Sequence, residues 1–273
     1  MSKLSLITIN ILNDLSRWRQ RRGLLVEQLS ECQPDLIALQ EVTIQGKSSN
    51  AHWLVEQLNK REDTADKPYQ VYLCPKTGAF EKKEGLAVLS RLPVNHHERL
   101  DLLTQNRVAQ AVTFRLEGET LMLVNGHFFW HAGPSPKRLA QVELLLDWLD
   151  TQPAEIPVIV CGDFNSEPDT PAVKFMRRYF DSAHLAVHGE EPEYTCPTPL
   201  PLSVKTKLRI GAQVLMGQRP SPDQEWRGTL DYIFVDPRLD TQACDLVLNC
   251  SSKHRSDIYP SDHFGLYAQI NVS

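Results

Sequence analysis

Short apolar runs that stop on an amide, a carboxylate or an imidazole recur along this chain of 273 residues. Ile7-Thr8-Ile9 runs into Asn10, Leu36-Ile37-Ala38-Leu39 into Gln40-Glu41, Leu123-Val124 into Asn125-Gly126-His127, and Val158-Ile159-Val160-Cys161 into Gly162-Asp163-Phe164-Asn165. Near the end stands Pro260-Ser261-Asp262-His263, and Thr229-Leu230-Asp231-Tyr232-Ile233-Phe234-Val235 carries its carboxylate at the head of a run instead. Bounded apolar runs of this length are buried strands. Strands that end together deliver their polar tips to one rim of a sheet, where sites on α/β scaffolds lie. Segments from Asn10 to His263 that must meet at one rim predict a single domain over 1–273, and no linker divides the chain.

Between these runs the periodicity changes to that of helices. Trp18, Leu25, Leu29 and Cys32 fall on one helical face, as do Ala51, Leu54, Val55 and Leu58. Ser135-Pro136 opens a helix whose buried face is Leu139, Val142, Leu145, Leu146 and Leu149, and Asp169-Thr170-Pro171 opens another. Strands are predicted at 4–9, 35–39, 69–74, 85–90, 108–116 and 121–128, with a hairpin across Glu117-Gly118-Glu119, and then at 156–161, 230–235, 243–248 and 264–270. Helices and strands alternate at first and strands later follow one another. That order predicts an α/β chain with a pair of mixed sheets rather than one parallel, doubly wound sheet. The Pro-rich stretch 189–228 has little periodicity. Within it Lys205, Lys207, Arg209, Arg219 and Arg227 outnumber Asp223 and Glu225, which either steers a phosphate-bearing ligand or belongs to a solvated loop.

Composition removes several classes. The chain is 41% apolar and 23% charged, with a formal charge of −5 and an isoelectric point near 6.0. A protein that coats nucleic acid by bulk charge has a domain isoelectric point above about 9, so any nucleic-acid contact is local. No run approaches the roughly 18 apolar residues of a membrane span, and residues 1–12 read as a strand rather than a leader. Cys32, Cys74, Cys161, Cys196, Cys244 and Cys250 form no C-x-x-C pair, which argues against a disulfide scaffold or a zinc site and predicts reduced thiols in a cytoplasmic protein; separately, nothing in the sequence calls for an obligate protein partner. Phosphate-loop, dinucleotide-fold, serine-hydrolase and zincin motifs are all missing.

Carboxylates, amides and imidazoles converging without cysteine suit a hard, oxygen-ligated cation, Mg2+ (or Mn2+). Taken singly, an Asp or Asn at a strand end is a turn former or cap; the order of the six segments together carries the functional reading. In that order the chain resembles the endonuclease/exonuclease/phosphatase superfamily of metal-dependent phosphoesterases. Asn10 matches its first amide, Leu39-Gln40-Glu41-Val42 its LQE segment, Gly162-Asp163-Phe164-Asn165-Ser166 its GDFN block, Leu230-Asp231-Tyr232-Ile233 its LDYI block and Ser261-Asp262-His263 its terminal SDH. The resemblance implies a deoxyribonuclease-like four-layer sandwich, two packed mixed β-sheets flanked by helices. It also implies that Glu41 with Asn10 holds the divalent cation, that Asp262 lies beside it, and that Asp231 orients His263. Asp163 would position or deprotonate water, and Asn165 and His127 would donate to phosphoryl oxygens. Whether Asp163 or His263 takes the water's proton stays open.

The continuation Ser166-Glu167-Pro168 and the segment His127-Phe128-Phe129-Trp130 look most like the deadenylase and tyrosyl-DNA phosphodiesterase branches, which implies a nucleic acid or nucleotide as the phosphoester partner. The alternatives are an inositol-phosphate or sphingomyelin-type hydrolase and a non-catalytic binding module. Trp130, Phe128, Phe129 and Phe164 are candidates to stack on a base, although Phe128 and Phe164 also suit a sheet core. Arg17, Arg19, Arg21 and Arg22 with Trp18 form a basic patch able to track a phosphate backbone. Arg138 and Gln141, three apart on one helix, either face the site or make a surface pair.

Overall fold

A computed structural model describes residues 2–61, 67–131, 133–198 and 226–272. The first strand, β1 (Ser2–Asn10), shows why the runs are so uniformly apolar. Leu4 and Leu6 face one core, while Ile7 and Ile9, on the opposite pleat, face another. A strand covered on both sides cannot alternate apolar with polar. The same holds for β2 (Leu36–Gln45), β8 (Glu119–His127) and β9 (Val158–Asp163).

Each central pair of parallel strands is joined by a helix. α1 (Leu15–Cys32) connects β1 to β2, and α3 (Pro136–Leu149) connects β8 to β9, because parallel neighbours need a long crossover. The other elements are β3 (Ser48–Ser49), α2 (Asn50–Asn59), β4 (Gln70–Pro75), β5 (Glu84–Ser90), β6 (Val94–Asp101), β7 (Val108–Leu116), α4 (Pro171–Met176), β10 (Asp181–Ser182), α5 (Ala183–His188), β11 (Asp231–Val235), β12 (Asp240–Val247) and β13 (Gly265–Val272). One sheet runs β12-β13-β1-β2-β5-β4, with β3 paired to β2; the other runs β10-β11-β9-β8-β7-β6. Leu4, Leu36 and Val88 of the first interdigitate with Phe114, Leu123 and Ile159 of the second. α1 and α2 cover the outer face of the first sheet through Leu25, Leu29 and Leu54, and α3 and α4 cover that of the second through Val142, Leu145 and Val173. The result is the four-layer sandwich of two mixed sheets implied by the resemblance. Among the described residues no helix is long and apolar enough to cross a membrane, and all six cysteines are free.

Where the two sheets meet near the rim the packing turns polar. Gln40 donates to Asn125 Oδ1 (2.7 Å) and to Thr8 Oγ1 (3.0 Å), and Asn125 donates back to the carbonyls of Leu39 and Ala87. Hydrogen bonds of this kind fix how one sheet sits on the other, since a slip would break several buried bonds at once.

Arg21 departs from the basic patch expected of it. Its side chain is fully buried, and its guanidinium donates to the carbonyls of Ile11 (3.2 Å), Leu12 (3.2 Å) and Pro260 (2.6 Å). Being five-pronged and always charged, an arginine can hold several carbonyls from two backbone segments at once. It ties the turn after Asn10 to the turn before Asp262-His263. Arg21→Ala is expected to lower stability by about 3 kcal/mol, because buried carbonyls lose their donors, and chemical denaturation of the two proteins measures the difference.

Candidate active site

Three backbone features aim the polar strand ends at one place. The pairing of β2 with β5 shifts between Leu39 and Val42, and Glu41 stands in that irregularity with φ 56°. A bulge re-aims a side chain at a sheet rim. On β9, Gly162 has φ 132°, and a Cβ there would lie 2.0 Å from the carbonyl oxygen of Gly126 on β8. Only glycine lets these strands approach so closely just before Asp163. Asn165 follows at φ 49°. Non-glycine residues in the left-handed region cost of order 1–3 kcal/mol and cluster at functional sites. Register completes the arrangement: Asp163 is paired with His127 on one side and with Asp231 on the other.

The side chains then form two adjacent hydrogen-bonded groups, one around Asp163 and one around Asp231. Asn10 Nδ2 donates to Asp163 Oδ2 (3.0 Å), so the first sheet meets the second through a bond between the two ends of β1 and β9. The Asn165 backbone N–H donates to Asp163 Oδ1 (2.8 Å), and the Asn165 side chain donates to the Phe128 carbonyl. His263 Nδ1 donates to Asp231 Oδ2 (2.8 Å), which also accepts from Thr195 Oγ1 (2.6 Å). Burial opposes a charged imidazole, but the Asp231 carboxylate overrides it and holds the His263 pKa well above the usual 6.5. Burial, helped by the Asp231 carboxylate, pushes the Asp163 pKa up to about 6.

His127 behaves differently. It is buried, and Arg107 Nη1 donates to its Nε2 (2.6 Å). Burial together with the Arg107 and Lys76 cations lowers its pKa well below 6.5, so the ring is neutral. Nε2 is therefore an acceptor here, and the expected donation to a phosphoryl oxygen falls to Nδ1, which is buried without a partner.

The expected cation ligands are dispersed around this group. Glu41 is partly exposed, and its Oε2 accepts the Asn13 backbone N–H (2.8 Å). Asn10 Oδ1 accepts from the Leu12 backbone N–H (3.0 Å). Asp262 is half-buried and accepts from Ser261 Oγ (3.2 Å). A tighter group is Asp163, Asp231 and His263, whose ligand atoms lie within 4.8 Å of one another. Asp231 Oδ1 there is buried and without a partner. Carboxylate and amide oxygens with an orphaned buried oxygen among them fit a hard divalent cation. A proton on His263 competes with a cation at that second group, because a ligating histidine must be neutral.

Of the expected substrate contacts, Arg138 is turned into the protein. It is buried and donates to the carbonyls of His131 (2.6 Å) and Gly133, so it shapes the loop after β8, and Gln141 beside it donates to Leu102 and Thr104 rather than making a surface pair. Trp130 is exposed, with Gln105 clamping its backbone on both sides. Phe128, Phe129 and Phe164 are buried, and Phe128 stacks on Phe164 at 4.3 Å, which removes them as free stacking platforms. Lys205, Lys207, Arg209 and Arg219 lie outside the described residues. Sequence reasoning missed Arg107, Thr195 and Asn13, and also the Lys76–Glu84 ion pair, whose carboxylate accepts from Asn13 Nδ2. Asn13 lies in the motif-bearing turn after β1; no sequence signal marked Arg107, Glu84 or Thr195.

Two packed sheets with a carboxylate–imidazole pair at their common rim define a phosphoesterase-type scaffold. The chain belongs to the Endonuclease/Exonuclease/phosphatase family, whose sequence profile matches residues 7–263. It is similar to 2',5'-phosphodiesterase 12 of Mus musculus, at 27% identity over 92% of this chain and 45% of that one. It is similar also to Nocturnin of Mus musculus, at 28% identity over 94% of this chain and 59% of that one. The chain thus spans about half the length of the curated relatives it matches. In fold it is similar to D. rerio TDP2 complexed with a single-strand DNA product, with TM-score 0.75, 21% identity and full coverage of both chains.

Proposed function

We propose that this protein, as one domain over residues 1–273, is a Mg2+- (or Mn2+-) dependent phosphodiesterase that cleaves a nucleic acid or nucleotide by direct attack of water. The observation that carries the reading is the buried Asp231–His263 pair set beside Asp163, with the ligand atoms of all three within 4.8 Å of one another. The similarity to a 2',5'-phosphodiesterase and to a fold neighbour complexed with single-strand DNA supports the choice of substrate class over inositol phosphates or lipid head groups. Reduced thiols agree with a cytoplasmic location.

The proton inventory assigns the roles. His263 already holds a proton at neutral pH, so it cannot serve as the base; it presents an N–H to the phosphoryl or leaving oxygen. Asp163, ionising at about 6, is the carboxylate poised to accept the water's proton. Asn165 and His127 Nδ1–H offer hydrogen bonds to the phosphoryl oxygens. Glu41 and Asn10, with Asp262 beside them, would hold the cation, which supplies positive charge against the phosphoryl oxygens when bound.

EDTA is expected to abolish cleavage of bis(p-nitrophenyl) phosphate, and added Mg2+ or Mn2+ to restore it. Turnover that persists in EDTA overturns the metal requirement. A panel of oligo(A), abasic duplex, nucleoside monophosphates and inositol phosphates, assayed with either ion, identifies the substrate class; hydrolysis of inositol phosphates alone overturns the nucleic-acid reading.

A further inference from the structure

A concavity of about 420 Å³ opens beside the site, lined by residues from α1, β2, β3 and α2. Thr43 belongs to its lining, and Thr43 Oγ1 donates to Asn13 Oδ1 (2.6 Å) while the Asn13 backbone N–H donates to Glu41 Oε2 (2.8 Å). Two hydrogen bonds therefore separate the cleft from the carboxylate proposed to hold the cation. The residues that line it include two arginines and no carboxylate, so it is complementary to an anion in a protein whose net charge is −5.

Its surfaces are planar as well as cationic. The rings of Trp18 and Trp53 meet edge to face at 5.8 Å, and the Arg22 guanidinium lies 4.4 Å over the Trp53 ring. Indole and guanidinium planes are the surfaces on which nucleobases stack. An independent observation comes from Asn50, which lines the cleft and is 7% exposed. Its Oδ1 accepts the Thr43 backbone N–H (3.1 Å), whereas its Nδ2 is buried without a partner. An orphaned buried donor is costly unless a ligand supplies the acceptor.

We propose that this cleft is a nucleotide subsite, taking the nucleoside adjacent to the scissile phosphodiester. Its base stacks against the Arg22–Trp53 pair, its phosphate faces Arg19, and a carbonyl or phosphate oxygen accepts from Asn50 Nδ2. The inference rests on the nucleic-acid reading above and deepens it: cleavage requires at least one nucleotide beyond the scissile linkage to be held. Arg21, the member of the basic patch that is buried, takes no part.

The test uses the metal-loaded protein and its Arg19→Glu/Arg22→Glu variant, both substitutions lying away from the catalytic group. With an oligonucleotide the variant is expected to show a KM raised about tenfold, the scale of losing one stacked base and its phosphate contact. Its kcat/KM for bis(p-nitrophenyl) phosphate, too small to reach the cleft, stays within twofold of the parent. An unchanged KM for the oligonucleotide overturns the subsite, as does an equal loss on both substrates, which points to a general structural role. Binding is read separately by oligonucleotide quenching of tryptophan fluorescence in a His263→Asn background. Quenching that Trp53→Leu reduces is the expected result; quenching that Trp53→Leu leaves unchanged, or that anionic vesicles reproduce, overturns the assignment. If the parent cleaves no nucleic acid yet quenching behaves as expected, the proposed activity fails while the cleft stands.

Discussion

His263→Asn is expected to lower kcat on bis(p-nitrophenyl) phosphate by about three orders of magnitude, within the range usual for a general acid, and to leave the protein folded. The ring is held by Asp231 at 2.8 Å and is buried, so its N–H is fixed in place for the leaving oxygen. Asparagine can offer Asp231 an amide N–H in place of Nδ1–H but has no titratable proton. His263→Ala should lose as much activity and in addition up to about 3–5 kcal/mol of stability, because removing one partner of a buried ion pair strands the other. Comparing the two variants separates chemistry from folding. A folded His263→Asn protein that turns over within tenfold of the parent sinks the role assigned to His263.

Asp163→Asn should be the opposite kind of mutant in stability and the same kind in activity. Its kcat is expected to fall by about a thousandfold, since the proposed base is gone. The metal-free variant, however, should be more stable than the metal-free parent at pH 7 by on the order of 1–3 kcal/mol, about 2–4 °C in Tm per kcal/mol for a chain of this size. The folded pKa of Asp163, about 6, lies above its ordinary 3.8, so ionising it works against folding. That penalty is absent below pH 3.8, grows as pH rises to about 6 and is constant above. The stability difference between variant and parent should follow the same curve. A difference that is flat across pH 4–7 shows that Asp163 is not strained in this way. In the parent's rate profile, activity should rise through about pH 6 as Asp163 ionises and decline only at alkaline pH, where His263 gives up its raised proton.

The apolar runs announced both sheets because every central strand is covered on two sides, and the polar strand-end residues come together because those strands end at one rim. The bounds 108–116 came out unchanged as β7. What escaped notice was what packing decides. β6 carries Asn95, His96, His97 and Glu98 along an exposed edge, where charge protects the sheet from pairing with other strands and no apolar period exists to read. Arg107 and Thr195 serve the site from positions that no local pattern distinguishes; only the fold brings the one to His127 and the other to Asp231. Basic and aromatic residues were the least faithful guides. Arg21 and Arg138 look like phosphate contacts in the sequence, yet each is enclosed by backbone carbonyls, because long cations near turns are as useful for binding the chain to itself as for binding a ligand.

β1 lies between β2 and β13, its residues Ser2 to Thr8 aligned against Val272 to Leu266. During synthesis the first strand therefore waits, with one edge bare, until the ribosome has made β13. Asn10 ends β1 and His263 precedes β13, so these two polar side chains come to one rim only when the two strands pair. The proposed cleavage therefore waits on the pairing of β13 with β1.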